Sequence, residues 1–75
     1  MSFDKELDTR GMNCPLPILK TNKSLANMAS GQILKVVSTD GGSPKDMQAF
    51  ANQTGNTLVS QTEENGEYVF FMRKK

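Results

Sequence analysis

The dipeptide Asn65-Gly66 lies between two runs rich in aliphatic and aromatic residues, at 58–60 and 68–72. Asn-Gly in this setting is the strongest short-range hairpin signal, because a type I′ turn requires positive φ at both of its central residues. The sequence therefore predicts that the chain ends in an antiparallel pair of strands joined by a two-residue turn.

A helix is predicted directly before this hairpin. Ser43 is a typical N-cap residue, Pro44 suits the first helical position, and the acidic Asp46 follows three residues after the cap. Gly55 marks the end of the helix. The apolar stripe of this helix is formed by Met47, Phe50 and Ala51.

The first half of the chain predicts a strand, a helix and a second strand. Residues 6–9 form a short strand, and residues 33–37 are a nearly continuous aliphatic run, typical of a strand buried on both faces. Residues 15–29 have helical spacing, and Gly31 is a natural stop. The predicted apolar positions of this helix are Ile18, Leu19, Leu25, Met28 and Ala29.

The predicted element order is β-α-β-α-β-β. The first strand, crossover helix and second strand imply a right-handed parallel unit, and the terminal hairpin adds antiparallel strands. We therefore expect a single α/β (α+β) domain over residues 1–75. Its architecture is a two-layer sandwich, with a four-stranded mixed sheet and two helices on one face.

Composition excludes several classes of function. The 75 residues are 36% hydrophobic and 23% charged. No apolar run approaches the length of about 20 residues that spans a membrane, and the N-terminus lacks signal-peptide features. We therefore expect a cytoplasmic protein without membrane contact. The formal net charge of +1 predicts no strong direct nucleic-acid binding. The basic tail, Arg73 to Lys75, is either a solvated terminus or a docking patch for an acidic partner or tRNA.

Cysteine and histidine counts remove further mechanisms. One cysteine, Cys14, excludes an intramolecular disulfide and a CxxC redox pair, and the absence of histidine excludes Cys–His dyads, Ser–His–Asp triads and the usual zinc sites. The five methionines are better explained by core packing than by copper binding. We predict no metal, and we interpret Gly41-Gly42 as a plain turn.

The segment Cys14-Pro15-Leu16-Pro17 stands where the first helix is predicted to begin. Pro15 suits the first helical position and Pro17 falls in the first turn, so both stiffen the turn that carries the sulfur. A helix N-terminus, with Arg10 as a possible fixed charge, is expected to lower the pKa of the thiol. The alternative is an inert, buried cysteine.

The motif Leu7-Asp8-x-Arg10-Gly11-x-x-Cys14-Pro15-x-Pro17, with the later Lys45-Asp46, resembles the signature of the TusA/SirA-like sulfur carrier proteins. The resemblance covers nearly the whole chain and follows the family's order of elements. It implies a sulfur carrier that holds sulfane sulfur covalently as a persulfide on Cys14, without a separate cofactor. The implied partners are a cysteine desulfurase or rhodanese-type donor and a downstream acceptor protein. The destination would be tRNA 2-thiolation, a molybdenum cofactor pathway or sulfur oxidation.

Other motif residues also receive roles from this resemblance. The candidates for tuning the thiol or docking a partner are Arg10, Asp40, Lys45 and Asp46, and the structural residues of the motif are Gly11, Pro15 and Pro17. Asp46 could instead cap its helix, and Arg10 could pair with Asp8. Two other functions stay open: a non-catalytic module that regulates a partner, and a redox sensor in which Cys14 is oxidised to sulfenic acid.

Overall fold

Four strands form one mixed sheet, and two helices that contact each other pack against it. The computed structural model describes residues 2–75. The elements are β1 (Lys5–Thr9), α1 (Leu16–Ala26), β2 (Ile33–Ser38), α2 (Ser43–Thr54), β3 (Thr57–Glu64) and β4 (Glu67–Arg73). The predicted fold class and element order are confirmed. No helix among the described residues is both long and apolar enough to cross a membrane.

The strand order in the sheet is β1-β2-β4-β3. β1 pairs in parallel with β2, as expected for two strands joined by a crossover helix, while β4 lies antiparallel to both β2 and β3. Thr9, Ser38 and Tyr68 are aligned across three strands, so the chain leaves β1 and β2 at the same edge of the sheet. The loops that follow these two strands therefore lie side by side.

The core fills the space between the sheet and the helices. Its buried members are Leu25, Leu34, Val36, Met47, Phe50, Ala51, Phe70 and Met72, and Met28 packs against them. The assignment of Met28 and Met47 to the core is therefore confirmed. On the opposite face of the sheet, Val37 is buried but Lys35 is only half-buried, so the prediction that β2 is buried on both faces holds only in part.

Helix α1 is shorter than predicted. Leu25 is buried in the core as predicted, and Ile18 packs against the core. The buried positions of the helix are Pro17, Thr21, Ser24 and Leu25, which recur at helical spacing. Leu19 lies about 200° around the helix from Pro17 at 100° per residue, and its side chain is 56% exposed. Ala29 is exposed beyond the end of the helix. The prediction that Leu19 and Ala29 face the core is therefore wrong.

Helix α2 ends at Gly55 as predicted, because this residue adopts the left-handed conformation with φ +82°. Its start differs from the prediction. Gly42 is the N-cap, no side chain caps the helix, and Ser43 is buried inside the first turn. The Ser43 hydroxyl is hydrogen-bonded to the hydroxyl of Ser38 at the end of β2. Ser43 therefore joins strand to helix rather than capping the helix.

The predicted hairpin turn is confirmed. Asn65 has φ +52° and Gly66 has φ +79°, the positive values that a two-residue type I′ turn requires. A bulge between Leu58 and Ser60 interrupts the register of β3 against β4.

The basic tail is held by backbone hydrogen bonds. The Lys74 amide donates to the Gln32 carbonyl, the Gly31 amide donates to the Lys74 carbonyl, and the Lys75 amide donates to the Asn56 side chain. Arg73 pairs with Ile33 at the start of β2. The tail therefore lies at one end of the sheet, and the loop that carries Cys14 lies at the other end.

Candidate functional site

The loop from β1 to α1 carries Cys14, and its first residues are fixed by short hydrogen bonds. Gly11 adopts φ +80°, a conformation that favours glycine, and its amide donates to the Thr39 hydroxyl at 2.9 Å. The Met12 amide donates to the Thr9 carbonyl at 3.1 Å. The loop is thus tied both to its own strand and to the loop that follows β2.

Asp40 connects the two loops. Its Oδ2 accepts a hydrogen bond from the Cys14 amide at 3.1 Å, and its Oδ1 accepts one from the Gly42 amide at 3.4 Å. The Asp40 carbonyl accepts from the Ser43 amide at the start of α2, and its amide donates to the Ser38 hydroxyl. Asp40 therefore fixes the backbone of Cys14 relative to α2.

The helix after the cysteine begins one residue later than predicted. Pro15 is the N-cap of α1, the Cys14–Pro15 peptide bond is cis, and Pro17 lies at the second helical position. Pro15 and Pro17 have no N–H to offer the sulfur, and the Leu16 amide already donates to the Asn13 carbonyl at 2.9 Å. The helix start therefore supplies few of the backbone donors on which the predicted stabilisation of a thiolate depended.

The Cys14 side chain is exposed, which excludes the alternative of a buried structural cysteine. Its sulfur and one carboxylate oxygen each from Asp40 and Asp46 lie within 4.8 Å of one another. A hydrogen bond to Asp46 raises the pKa of the Cys14 thiol, with further increases from desolvation and from the negative charges of Asp46 and Asp40. The predicted lowering of this pKa is wrong, because carboxylates rather than backbone amides face the sulfur.

The same three groups are the residues that could hold a divalent cation. Among residues 2–75 no other group of three such ligands lies this close together. They combine one exposed soft thiol with two half-buried hard carboxylates. The expectation that the chain carries no metal stays a prediction.

Arg10 does not reach the thiol. Its guanidinium forms two 3.0 Å hydrogen bonds with the Asp8 carboxylate and lies 3.4 Å from Glu67. The bonds from Arg10 lower the pKa of Asp8 to about 2, while both carboxylates raise the pKa of Arg10. The pairing of Arg10 with Asp8 that the sequence allowed is therefore present. Lys45 is exposed and forms no ion pair within residues 2–75.

Two apolar side chains follow the cysteine on the first turn of α1. Leu16 is 46% exposed and Leu19 is 56% exposed, and their spacing of three residues places them on one face of the helix. We call these two side chains the leucine ledge. The described part of the chain forms no pocket, so none lies beside the thiol.

Sequence reasoning found the cysteine but missed parts of its surroundings. Asp40 and Asp46 were candidates, yet their effect on the thiol depends on side-chain directions that spacing does not give. The leucine ledge was missed because Leu19 was assigned to the core. The spacing of Pro17, Thr21 and Leu25 could have shown that Leu19 is exposed. These three positions share one face of the helix, and Leu19 does not lie on it.

Comparisons with known proteins agree with this site and fold. The family model described as sulfurtransferase TusA matches residues 5–74. The chain belongs to the TusA family. It is 56% identical over 72 residues to the sulfur carrier protein TusA of Allochromatium vinosum, covering 96% of this chain and 95% of that protein. A sulfur carrier protein TusA of Pseudomonas putida is 40% identical over 72 residues, covering 96% and 90%.

A solved structure supports the fold independently. The crystal structure of a SirA-like protein from Desulfitobacterium hafniense superimposes with a TM-score of 0.83 over 93% of this chain and 96% of that one. Its sequence identity is 22%, so this likeness concerns the fold alone. The resemblance to TusA/SirA-like proteins seen in the Cys-Pro-x-Pro motif is confirmed.

Proposed function

We propose that this TusA-family chain is a cytoplasmic sulfur carrier that holds sulfane sulfur as a persulfide on Cys14. The observation that carries the proposal is an exposed thiol on a loop fixed at both ends, and residues 2–75 form no pocket beside it. A small-molecule enzyme needs a concave site to surround its substrate. A carrier needs only a sulfur that fits into the sites of other proteins.

The transfer step needs no group beyond the thiolate and a donor persulfide. The Cys14 thiolate attacks the terminal sulfur of a donor persulfide, R–S–SH, and a new S–S bond forms on Cys14. The S–S bond of the donor breaks, and its electron pair leaves with the donor thiolate, so no external oxidant is required. A second thiolate then takes the terminal sulfur from Cys14 by the same exchange.

The sulfur donor is a cysteine desulfurase or a rhodanese-type protein, and a downstream protein accepts the sulfur. This relay is supported by two relatives of the chain that are named sulfur carrier proteins. The destination of the sulfur is thiolated tRNA, a molybdenum cofactor or an oxidation route.

Mass spectrometry of the intact protein tests the proposal. Incubation with a cysteine desulfurase, its pyridoxal phosphate and cysteine is expected to add the mass of one sulfur atom, which dithiothreitol removes. Cys14→Ser is expected to gain nothing. A relocated thiol, Cys14→Ser with Asn22→Cys, controls for general thiol chemistry, since Asn22 is exposed on α1.

The relocated thiol should load far more slowly than Cys14. Equal loading of the two thiols, or no loading of the wild type, would contradict the proposal.

A further inference from the structure

The formal charge of +1 conceals a strong separation of charge between the two ends of the sheet. We define the thiol end as the end of the sheet where β1 and β2 finish and where the β3–β4 turn lies. The loop of Cys14 follows β1 at this end. The thiol end carries six carboxylates and two cations, a formal charge of −4. The carboxylates are Asp8, Asp40, Asp46, Glu63, Glu64 and Glu67, and the cations are Arg10 and Lys45.

The opposite end of the sheet has the reverse sign. β1, β2 and β3 begin there, while α1 and β4 end there. Counting side chains alone, it carries five cations and one carboxylate, a formal charge of +4. The cations are Lys5, Lys23, Arg73, Lys74 and Lys75, and the carboxylate is Asp4. Since Lys74 and Lys75 are held by backbone hydrogen bonds, this separation is fixed by the fold.

Exposed apolar surface is concentrated beside the thiol. Within residues 2–75 only three large hydrophobic side chains are exposed, namely Phe3 and the two members of the leucine ledge. Leu16 and Leu19 lie two and five positions after Cys14 and do not belong to the core cluster. Exposed apolar side chains with a charged border are typical of protein interaction sites.

We infer that the thiol end is a docking surface for a protein site that is positively charged and presents apolar area to the leucine ledge. This inference rests on the proposed function, because it describes the partner from which Cys14 receives sulfur. Charge complementarity selects the occupant. A nucleic acid is disfavoured at the thiol end, since its phosphates would meet a surface of formal charge −4.

Such a partner would also contact the carboxylates nearest the sulfur. One carboxylate oxygen each from Asp40 and Asp46 lies within 4.8 Å of the Cys14 sulfur. A partner's Arg or Lys placed against these two carboxylates would therefore lie beside the sulfur, so the docking surface includes the point of sulfur transfer.

Charged disulfides test the electrostatic part without any sulfur donor. Cys14 is treated with cystamine, a dication, or with dithiodiglycolate, a dianion; its thiolate forms a mixed disulfide, and the other half leaves as a thiolate. Cystamine is expected to react about ten-fold faster or more at low ionic strength, after normalisation to the relocated thiol, Cys14→Ser with Asn22→Cys. The ratio should fall as salt shortens the Debye length to about 10 Å at 0.1 M.

The double variant Asp40→Asn with Asp46→Asn should bring this ratio close to that of the relocated thiol. A wild-type ratio near one, or a preference for the dianion, would overturn the inference.

Loading by a desulfurase tests the docking part. Glu63→Gln with Glu64→Gln, and separately Leu19→Ser, should slow persulfide loading several-fold while leaving alkylation by neutral iodoacetamide nearly unchanged. Lys74→Gln with Lys75→Gln alters the opposite end by the same number of charges and should not slow loading.

The outcomes separate the two proposals. Loading that is insensitive to both thiol-end variants would overturn the docking surface but leave the carrier function intact. A cystamine preference without any loading would contradict the carrier function instead. Protection of Cys14 from iodoacetamide by an unmodified tRNA transcript would also overturn the inference, because it would place an anion at this end.

Discussion

The backbone amide of Cys14 donates a hydrogen bond to Oδ2 of Asp40, which lies 26 residues further along the chain. This bond places the reactive residue of one loop under the control of the loop after β2. Because both loops leave the sheet at the same edge, the parallel pairing of β1 and β2 makes the contact possible. The position of the sulfur therefore depends on the topology as much as on its own motif.

Asp40→Ala should reduce the stability of the folded protein. It removes the acceptor for the amides of Cys14 and Gly42, and each lost hydrogen bond costs about 1 kcal/mol. Asp40→Asn keeps one acceptor oxygen and should lose roughly half as much. Urea unfolding gives the comparison, and an unchanged midpoint for Asp40→Ala would show that water replaces these bonds without cost.

Asp46→Asn should make Cys14 more reactive. The wild-type carboxylate raises the pKa of the thiol by accepting its hydrogen bond and by its negative charge, and an amide removes the charge. We expect alkylation by iodoacetamide at pH 7 to become several-fold faster, with the midpoint of its pH profile moved to lower pH. Glu64→Gln, which changes the net charge equally, should have a much smaller effect. A slower reaction in Asp46→Asn would contradict the assigned direction.

Local sequence signals were sufficient where one residue decides the backbone. Asn65 and Gly66 determine the hairpin turn and Gly55 ends α2, because few other residues adopt positive φ at low cost. The parallel pairing of β1 and β2 followed from the crossover rule. These features need no knowledge of side-chain packing.

The environment of the thiol could not be predicted in the same way. Whether carboxylates or backbone amides face the Cys14 sulfur depends on side-chain directions, and sequence spacing does not give these directions. Asp46 and Cys14 are separated by 32 positions in the sequence, and they are brought together by the packing of the β1–α1 loop against the first turn of α2. Sequence spacing placed a helix start beside the cysteine, and it did not show that carboxylates outweigh the helix.

Gly11→Ala should destabilise the protein through backbone strain alone. An added Cβ would meet no atom within 4 Å, but φ +80° costs a residue with a side chain about 1–2 kcal/mol. Gly41→Ala is the matched control, since its Cβ also enters open space and its φ lies outside the positive range. Thermal unfolding should therefore show a loss for Gly11→Ala that is absent for Gly41→Ala. Equal losses in the two variants would show that the positive φ of Gly11 does not account for its loss of stability.

The pair of Asp8 and Arg10 should give a measurable acid dependence. The pKa of Asp8 falls to about 2 in the folded state, below the ordinary value of about 3.9, so the pair stabilises the fold above about pH 4 and this contribution is lost as the pH falls toward 2. Arg10→Ala should return the Asp8 pKa toward its ordinary value in an NMR titration. The alkylation rate of Cys14 should stay unchanged, because Arg10 contacts Asp8 and Glu67 instead. A clear change in that rate would place Arg10 in the thiol environment after all.

The Ser43 hydroxyl distinguishes two explanations for the start of α2. If Ser43 were an N-cap, Ser43→Asp would preserve the cap, because Asp and Ser are similarly effective there. In the structure Ser43 is 1% exposed and bonded to the buried Ser38 hydroxyl, so Ser43→Asp would place a carboxylate in the interior. We expect Ser43→Asp to destabilise the protein by more than about 2 kcal/mol, and Ser43→Ala by about 1 kcal/mol through the lost hydrogen bond.

Because Ser38 also accepts from the Asp40 amide, Ser43→Asp should in addition disturb the loop that holds Cys14. Urea unfolding and alkylation kinetics of the two variants together test this, and a Ser43→Asp protein as stable as the wild type would restore the capping explanation.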